Sequence, residues 1–445
     1  MSQKQDSKIG KKSFFNISKL PFYYGWIILL VGSIGVLASI PGQTMGVSVF
    51  TDYYISNLGL SRVEISSAYM IGTLCSSFLI SYAGIFFDRY GARVVAAIAT
   101  VFLSLFLLMF GFSPRIIEFL ASNINLPHFI IVFVVVTVGF FGIRFFGQGV
   151  LTLVSKGMVA KWFGARRGFA VGLMGLITAF GFSIAPQPIN AMINKFGWDK
   201  ALLVIAMFLI VIFFPLGLLF FRAEPNKYGM EVEQGMVSKN VKGKNRVNDA
   251  KVQKTVAEAK KEPLYWIILF SIGFWSLFNT AFTFHVVSIF KEIGLSADQA
   301  VKIFFPISII SVIARFIGSY LSDRISIKYI YIAYVLSLLL VSISMTILSS
   351  PLGRILVIIS FGIGGGLFGM LNIVTWPKLY GREHYGAISG FAMSIIVAAS
   401  AIGPWLFSLV YKFSDSYSFV GIGGILICSI FLILILKASW YVEGE

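Results

Sequence analysis

Gly84-Ile-Phe-Phe-Asp88-Arg89-Tyr90-Gly91-Ala92-Arg93 sits where one run of apolar residues, about 63–87, gives way to the next, about 93–112. The spacing is G-x-x-x-D-R-x-G-x-R. Glycine permits a tight turn and a close helix approach. The Asp and the arginines can latch helix ends through charge-assisted hydrogen bonds that a conformational change can break. A weaker copy, Gly318-Ser-Tyr-Leu-Ser-Asp323-Arg324, recurs in the second half with its glycine one position further out.

The flanks of this stretch define the class of the chain. Hydrophobic residues make up 57% and charged residues 12% of its 445 residues, and the mean hydropathy is +0.87. A soluble domain carries about 25% charged residues, so the chain belongs in lipid. Stretches long enough to cross a bilayer, roughly 20 residues each, are read at 24–50, 63–87, 93–112, 128–157, 167–193, 200–222, 263–290, 299–322, 328–348, 352–380, 386–412 and 418–440. The expectation is an all-α integral membrane protein with about twelve transmembrane helices.

The net charge of +17 does not point to nucleic acid, because of where the charges fall. Basic residues gather in alternate loops: Lys4 to Lys19 before the first span, Arg89 and Arg93, Lys156 to Arg167, the 223–262 segment, Arg324 and Lys328, then Lys378 and Arg382. The other loops carry fewer basic residues and more acids, among them Asp52, Glu64, Glu118, Asp199, Glu292, Asp298 and Asp415. The positive-inside rule then places both termini and the long central loop in the cytoplasm of a multi-pass protein of the plasma (cell inner) membrane. The Lys-rich start lacks the pattern of a cleaved signal peptide, so the first span is expected to be retained.

The chain also repeats itself. Gly59-Leu60-Ser61 recurs as Gly294-Leu295-Ser296, and Asp88-Arg89 as Asp323-Arg324; both pairs are 235 positions apart. Gly168, Gly172 and Pro186 match Gly386, Gly390 and Pro404, 218 positions apart, with the difference absorbed by a longer loop near Ser113–Pro127. The reading is two pseudo-symmetric six-helix bundles in parallel orientation, at 21–222 and 263–440. They are flanked by tails at 1–20 and 441–445 and joined by a polar linker at 223–262, in which a short helix near Lys251–Lys261 is conceivable.

This organisation and the signature turn resemble the major facilitator superfamily of transporters. The resemblance implies two bundles rocking about a cavity near the bilayer midplane. It gives Gly84, Asp88, Arg89, Gly91, Arg93, Asp323 and Arg324 a gating role at the cytoplasmic side, holding the outward-open arrangement. The alternative is that they only fix topology and helix turns.

Charges at bilayer depth cost roughly 2.5–3.5 kcal/mol each on insertion scales, so each is a functional candidate. Arg144, in Gly142-Ile-Arg-Phe-Phe-Gly-Gln148-Gly149, and Arg315, in Val312-Ile-Ala-Arg-Phe-Ile-Gly318, are the two that qualify. Arg315 lies about 12 Å of helix from Asp323 at ~1.5 Å per residue. Together they would form a cationic site able to grip a carboxylate bidentately. No acid is evident deep in a span, Asp52 and Glu64 coming closest, so the cavity should favour an anion or a neutral polar solute over a cation. Arg144 is also similar to a fourth-helix facilitator arginine that serves proton coupling or holds neighbouring helices through backbone carbonyls.

Gln43 and Thr44 in the first span, Asn279 in the seventh, and Asn372 with Trp376 in the tenth are further candidates to line the cavity; interhelical bonding and packing are the competing roles. His285 is the only histidine well inside an apolar stretch, open to proton coupling, substrate contact or structure. Pro41, Pro186, Pro306, Pro377 and Pro404 mark expected kinks. Cys75 and Cys428 read as packing residues. No metal-binding, nucleotide-binding or nucleophile-elbow motif stands at a convincing position, so neither an enzyme nor a cofactor is expected. The cluster Gly362-Ile-Gly364-Gly365-Gly366 reads as close helix packing.

Within the superfamily, Tyr24-Gly25-Trp26, Gly46-Val47-Ser48-Val49-Phe50, Gly59-Leu60-Ser61-Arg62 and Ala314-Arg315 before Ser322-Asp323 resemble the monocarboxylate porter and oxalate:formate antiporter branch. In that branch the eighth-helix arginine binds the substrate carboxylate, and Arg315 matches it. Two positions depart. Ser311 stands where the animal monocarboxylate porters carry an acid, and Gly390–Ser400 lacks the lysine of the oxalate exchangers, which favours a monoanion. The resulting expectation is a secondary transporter of a small organic anion, by proton symport or anion exchange. A multidrug or metabolite exporter of the same fold, or a nontransporting membrane sensor, are the alternatives.

Overall fold

The computed structural model describes residues 22–163, 167–222, 224–225, 228, 230, 253–322, 324–381 and 385–440. Among them, eleven helices are long and apolar enough to cross a membrane, with one shorter apolar helix before them. In chain order these are α1, the short one (Gly25–Ala38), α2 (Arg62–Gly111, two spans merged at a bend), α3 (His128–Trp162), α4 (Gly172–Phe196), α5 (Trp198–Phe220) and α6 (Pro263–Glu292). The remainder are α7 (Phe304–Ser322), α8 (Ile327–Thr346), α9 (Pro351–Tyr380), α10 (Tyr385–Ser414) and α11 (Ser418–Lys437).

The first of the twelve expected spans is a broken helix. Pro41 has no amide hydrogen to donate and Gly42 resists no bend, and the chain there leaves α1 for a single 3-10 turn, Ile40–Gly42. Short helices follow at Thr44–Ser48 and Thr51–Leu58. α2 bends at Gly91, whose φ of 81° and ψ of 168° favour a residue without a side chain. The repeated Gly-Leu-Ser motif is one turn used twice: Gly59 and Gly294 have φ of 68° and 80°. Each is followed by a serine that caps the next helix, Ser61 paired with Glu64 and Ser296 with Gln299. The short helix expected near Lys251–Lys261 is found at Val256–Ala259, capped by Thr255 and Glu258; the rest of the linker lies largely outside the described residues.

The chain divides into two compact units, Met1–Val47 with Cys75–Asn240, and Ser48–Leu74 with Val241–Glu445. In the first, α1 packs on α3 and α4. Carbonyls at the end of α5 are tied down from several directions: Tyr24 Oη donates to Phe220 O (3.0 Å), Arg93 Nε to Phe221 O (3.4 Å) and Trp162 Nε1 to Arg222 O (2.9 Å). Arg222 is 3% exposed, and burial, then the like charge of Arg93, lower its pKa from the ordinary value.

In the second unit the main seams join α7 to α9, α6 to α10, and α8 to α11 and α9. The α7–α9 seam is set by glycine. A Cβ on Gly366 would lie 2.3 Å from Ser311 O and 2.8 Å from Ala314 Cβ, and one on Gly362 2.5 Å from Ile310 Cβ. Such small residues let transmembrane backbones meet where lipid supplies no hydrophobic drive. Gly366→Ala is therefore expected to cost about 1–3 kcal/mol of stability, seen as a lower thermal midpoint in detergent. Gly84→Ala should leave that midpoint unchanged, because no atom lies within 4 Å of its added methyl; equal losses in both variants would refute the packing argument.

Candidate functional site

Polar side chains of the second unit cluster around the glycine seam. The guanidinium of Arg315 lies over Gly369, whose added Cβ would sit 2.3 Å from Nη2 and 2.8 Å from Cζ. Arg315 is on the exposed side of α7, next to Ala314, which faces α9. No described residue hydrogen-bonds or ion-pairs with it. One turn earlier, Ser311 Oγ lies 3.4 Å from the Cβ position of Gly365, as does the indole of Trp275 on α6. Asn372, one turn beyond Gly369, and Asn279, one turn beyond Trp275, are partly exposed and bonded to no described residue. Among the described residues one cation and two amides here are thus without a partner, with Gly369 making the room the guanidinium occupies.

Three described acids of the second unit are engaged with neighbours. Asp52 pairs with Arg62 at 3.0 Å, Glu64 caps α2 through Ser61 at 2.7 Å, and Glu292 accepts from Ser416 Oγ at 2.6 Å and Tyr417 N at 3.1 Å.

Two further candidates are core residues by position. Trp376 is fully buried beside the rings of Tyr265 and Tyr380, at 5.6 and 6.5 Å. His285, 1% exposed, donates from Nε2 to Pro404 O at 2.8 Å and sits among Phe284, Phe407 and Tyr417. It belongs to a row of α6–α10 ties, with Ser276 Oγ donating to Ile396 O (3.0 Å) and Thr280 bonded to Ser400 (2.7 Å).

In the first unit Arg144 has a different surrounding. It is 2% exposed and opens a π-helical segment, Ile143–Leu151. Its Nη1 donates to Gly42 O at 3.1 Å and to Thr44 Oγ1 at 3.4 Å. Gly42 and Gly147 touch backbone to backbone, the Cβ position of Gly147 being 3.1 Å from Gly42 Cα. Pro41 stops the helix, the break leaves carbonyls without helical partners, and the arginine satisfies one of them. Gln43 Nε2 works beside it, donating to Ser39 Oγ (2.9 Å) and Thr152 Oγ1 (3.3 Å).

Of the turn residues, Gly91 forms the bend, Arg93 holds the α5 end, and Arg89 is exposed with Cζ 5.4 Å from the Tyr90 ring. Gly84 stands in open space, whereas the Cβ position of its counterpart Gly318 meets Leu367 at 2.8 Å. Arg324 lies 3.8 Å over the Tyr320 ring, and Lys378 donates to Ser322 O at the end of α7. Asp323 and the Asp88 side chain lie outside the described residues. Sequence reading missed Gly369 and Trp275. For Gly369 the signal was the continuation of the glycine run, three and four residues on from Gly366 and Gly365.

The family model for the Major Facilitator Superfamily matches residues 31–404. The chain belongs to that superfamily and is a multi-pass membrane transporter. Among solved structures it is similar to a bacterial homologue of the human lysosomal transporter Spinster, in an inward-facing and occupied conformation. That likeness has a TM-score of 0.67 at 10% identity and covers 95% of this chain and 99% of the other. A D-xylose-proton symporter matches with TM-score 0.63 at 17% identity, covering 95% and 100%. These likenesses show the fold. No curated protein sequence matches the chain.

Proposed function

We propose that this transporter carries a small organic anion, a monocarboxylate, by alternating access between six-helix halves at 21–222 and 263–440, with both termini cytoplasmic in the cell inner membrane. The observation that carries this reading is Arg315, whose guanidinium lies over Gly369 with no ion-pair partner among the described residues. A cation at membrane depth is stabilised by a partner, and here the cargo would be that partner. Asn279 and Asn372 would bond the cargo's hydroxyl or carbonyl groups, which fixes its shape.

Arg144 enters this account as the clamp of the broken first helix, and His285 as a tie from α6 to α10. Proton coupling then comes through the cargo's own titration or is replaced by anion exchange. The turn residues Asp88, Arg89, Arg93, Asp323 and Arg324 serve the gate. A multidrug exporter of the same fold that takes cations would need a carboxylate free to meet its cargo, and of the described acids Asp52, Glu64 and Glu292 are each bound to neighbours.

Uptake of labelled monocarboxylates and dicarboxylates into proteoliposomes, with and without an imposed pH gradient, tests the reading. Saturable monocarboxylate flux is expected. Flux of apolar cations alone, or ligand binding with no flux, would replace this proposal with the exporter or the sensor. Gly369→Ala should displace the guanidinium and raise KM about tenfold, ~1.4 kcal/mol, with the thermal midpoint retained because the atoms it meets are the far end of a flexible side chain.

A further inference from the structure

The first unit carries an open, apolar groove of about 450 Å³ between α2 and α3. Its floor is made of small side chains, Ala83, Val95 and Ala99, which are almost fully covered. Its rims are large and stand out: Phe86, Tyr90 and Ile98 are each about half exposed. Phe86 and Tyr90 stack at 5.6 Å and 25°, and Phe146 of the π-helical segment stacks on Phe102 at 4.8 Å. The groove is thus a channel cut by alternating residue size.

Its dimensions select an occupant. From Leu79 to Tyr90 the helix rises about 16 Å at ~1.5 Å per residue, half of the ~30 Å hydrocarbon thickness and so the depth of one leaflet. The groove is long, shallow and lined throughout by apolar side chains. An extended acyl chain suits it. At the Tyr90 end stands Arg89, exposed and held only by its ring contact with Tyr90 at 5.4 Å; no described residue hydrogen-bonds or ion-pairs with it. A basic side chain at the membrane edge of an apolar slot matches an anionic headgroup.

We propose that this groove is a binding site for one anionic phospholipid, with an acyl chain along Leu79–Tyr90 and the phosphate on Arg89. The site is separate from the one around Arg315 and does not depend on the nature of the cargo.

Native mass spectrometry of the purified, delipidated full chain tests it, after reloading with dioleoyl phosphatidylglycerol, with dioleoyl phosphatidylcholine, or with inorganic phosphate. One retained phosphatidylglycerol is expected, at about tenfold lower lipid concentration than phosphatidylcholine needs, and phosphate alone should neither bind nor raise the thermal midpoint. Arg89→Gln should erase the preference between headgroups. Val94→Trp, a change of one exposed apolar residue for a larger one on the groove wall, should reduce retention of both lipids at least tenfold. Equal retention of the two lipids in the wild type, or retention unaltered by Val94→Trp, overturns the proposal. So does a stoichiometric protein dimer that excludes lipid and is lost in Val94→Trp.

Discussion

Arg315→Ala is expected to lower kcat/KM for carboxylate uptake about a hundredfold while the protein still folds. Hydrogen bonds to charged groups contribute about 1.5–3 kcal/mol each. A bidentate pair made in partial exclusion from water therefore loses roughly 3 kcal/mol, which is about two decades in affinity. Folding should survive because the guanidinium has no described protein partner to strand. Arg315→Lys should recover only part of the flux, since an ammonium restores the charge and not the planar fork that matches a carboxylate. The check is initial uptake rate against substrate concentration in proteoliposomes of matched protein content. Full flux in the alanine variant would remove Arg315 from the cargo path.

Arg144→Ala should do the opposite, harming the fold before the chemistry. The substitution strands the Gly42 carbonyl, now bonded at 3.1 Å, in a site where the arginine is 2% exposed. A lost charge-assisted bond and an unsatisfied buried acceptor together cost about 2–3 kcal/mol. At ~2–4 °C per kcal/mol the detergent thermal midpoint should fall by roughly 5–10 °C. The discrimination between carboxylate and neutral cargo should persist in whatever protein remains folded. A normal midpoint with selective loss of anion affinity would instead make Arg144 a cargo ligand.

The membrane class, the helical order and the signature turn were legible in the sequence because each has a local physical cause. Apolar length requires a span, Gly91 permits the bend, and Gly59 and Gly294 each precede a serine cap. The break at Pro41-Gly42 was less legible. Proline announces a kink, but whether a helix continues past it depends on what satisfies the released carbonyls, and Arg144 does so from a hundred residues away. The two intramembrane arginines look alike in sequence, since each is one charge in an apolar run. They differ in what faces them, a backbone carbonyl for Arg144 and a bare glycine for Arg315. Trp376 and His285 carry polar atoms that suit a cavity, yet tertiary packing encloses them with Tyr265, Tyr380, Phe407 and Tyr417.

The most direct measurement sets a carboxylate against its uncharged twin. Binding of a labelled monocarboxylate to the purified wild-type protein is competed with the same acid and with its carboxamide, which keeps shape and volume but carries no charge. Competition by the acid at least a hundredfold stronger than by the amide is the predicted result. Equal competition would show that the cargo is recognised by shape and neutral hydrogen bonds alone, and that the guanidinium of Arg315 does not select for charge.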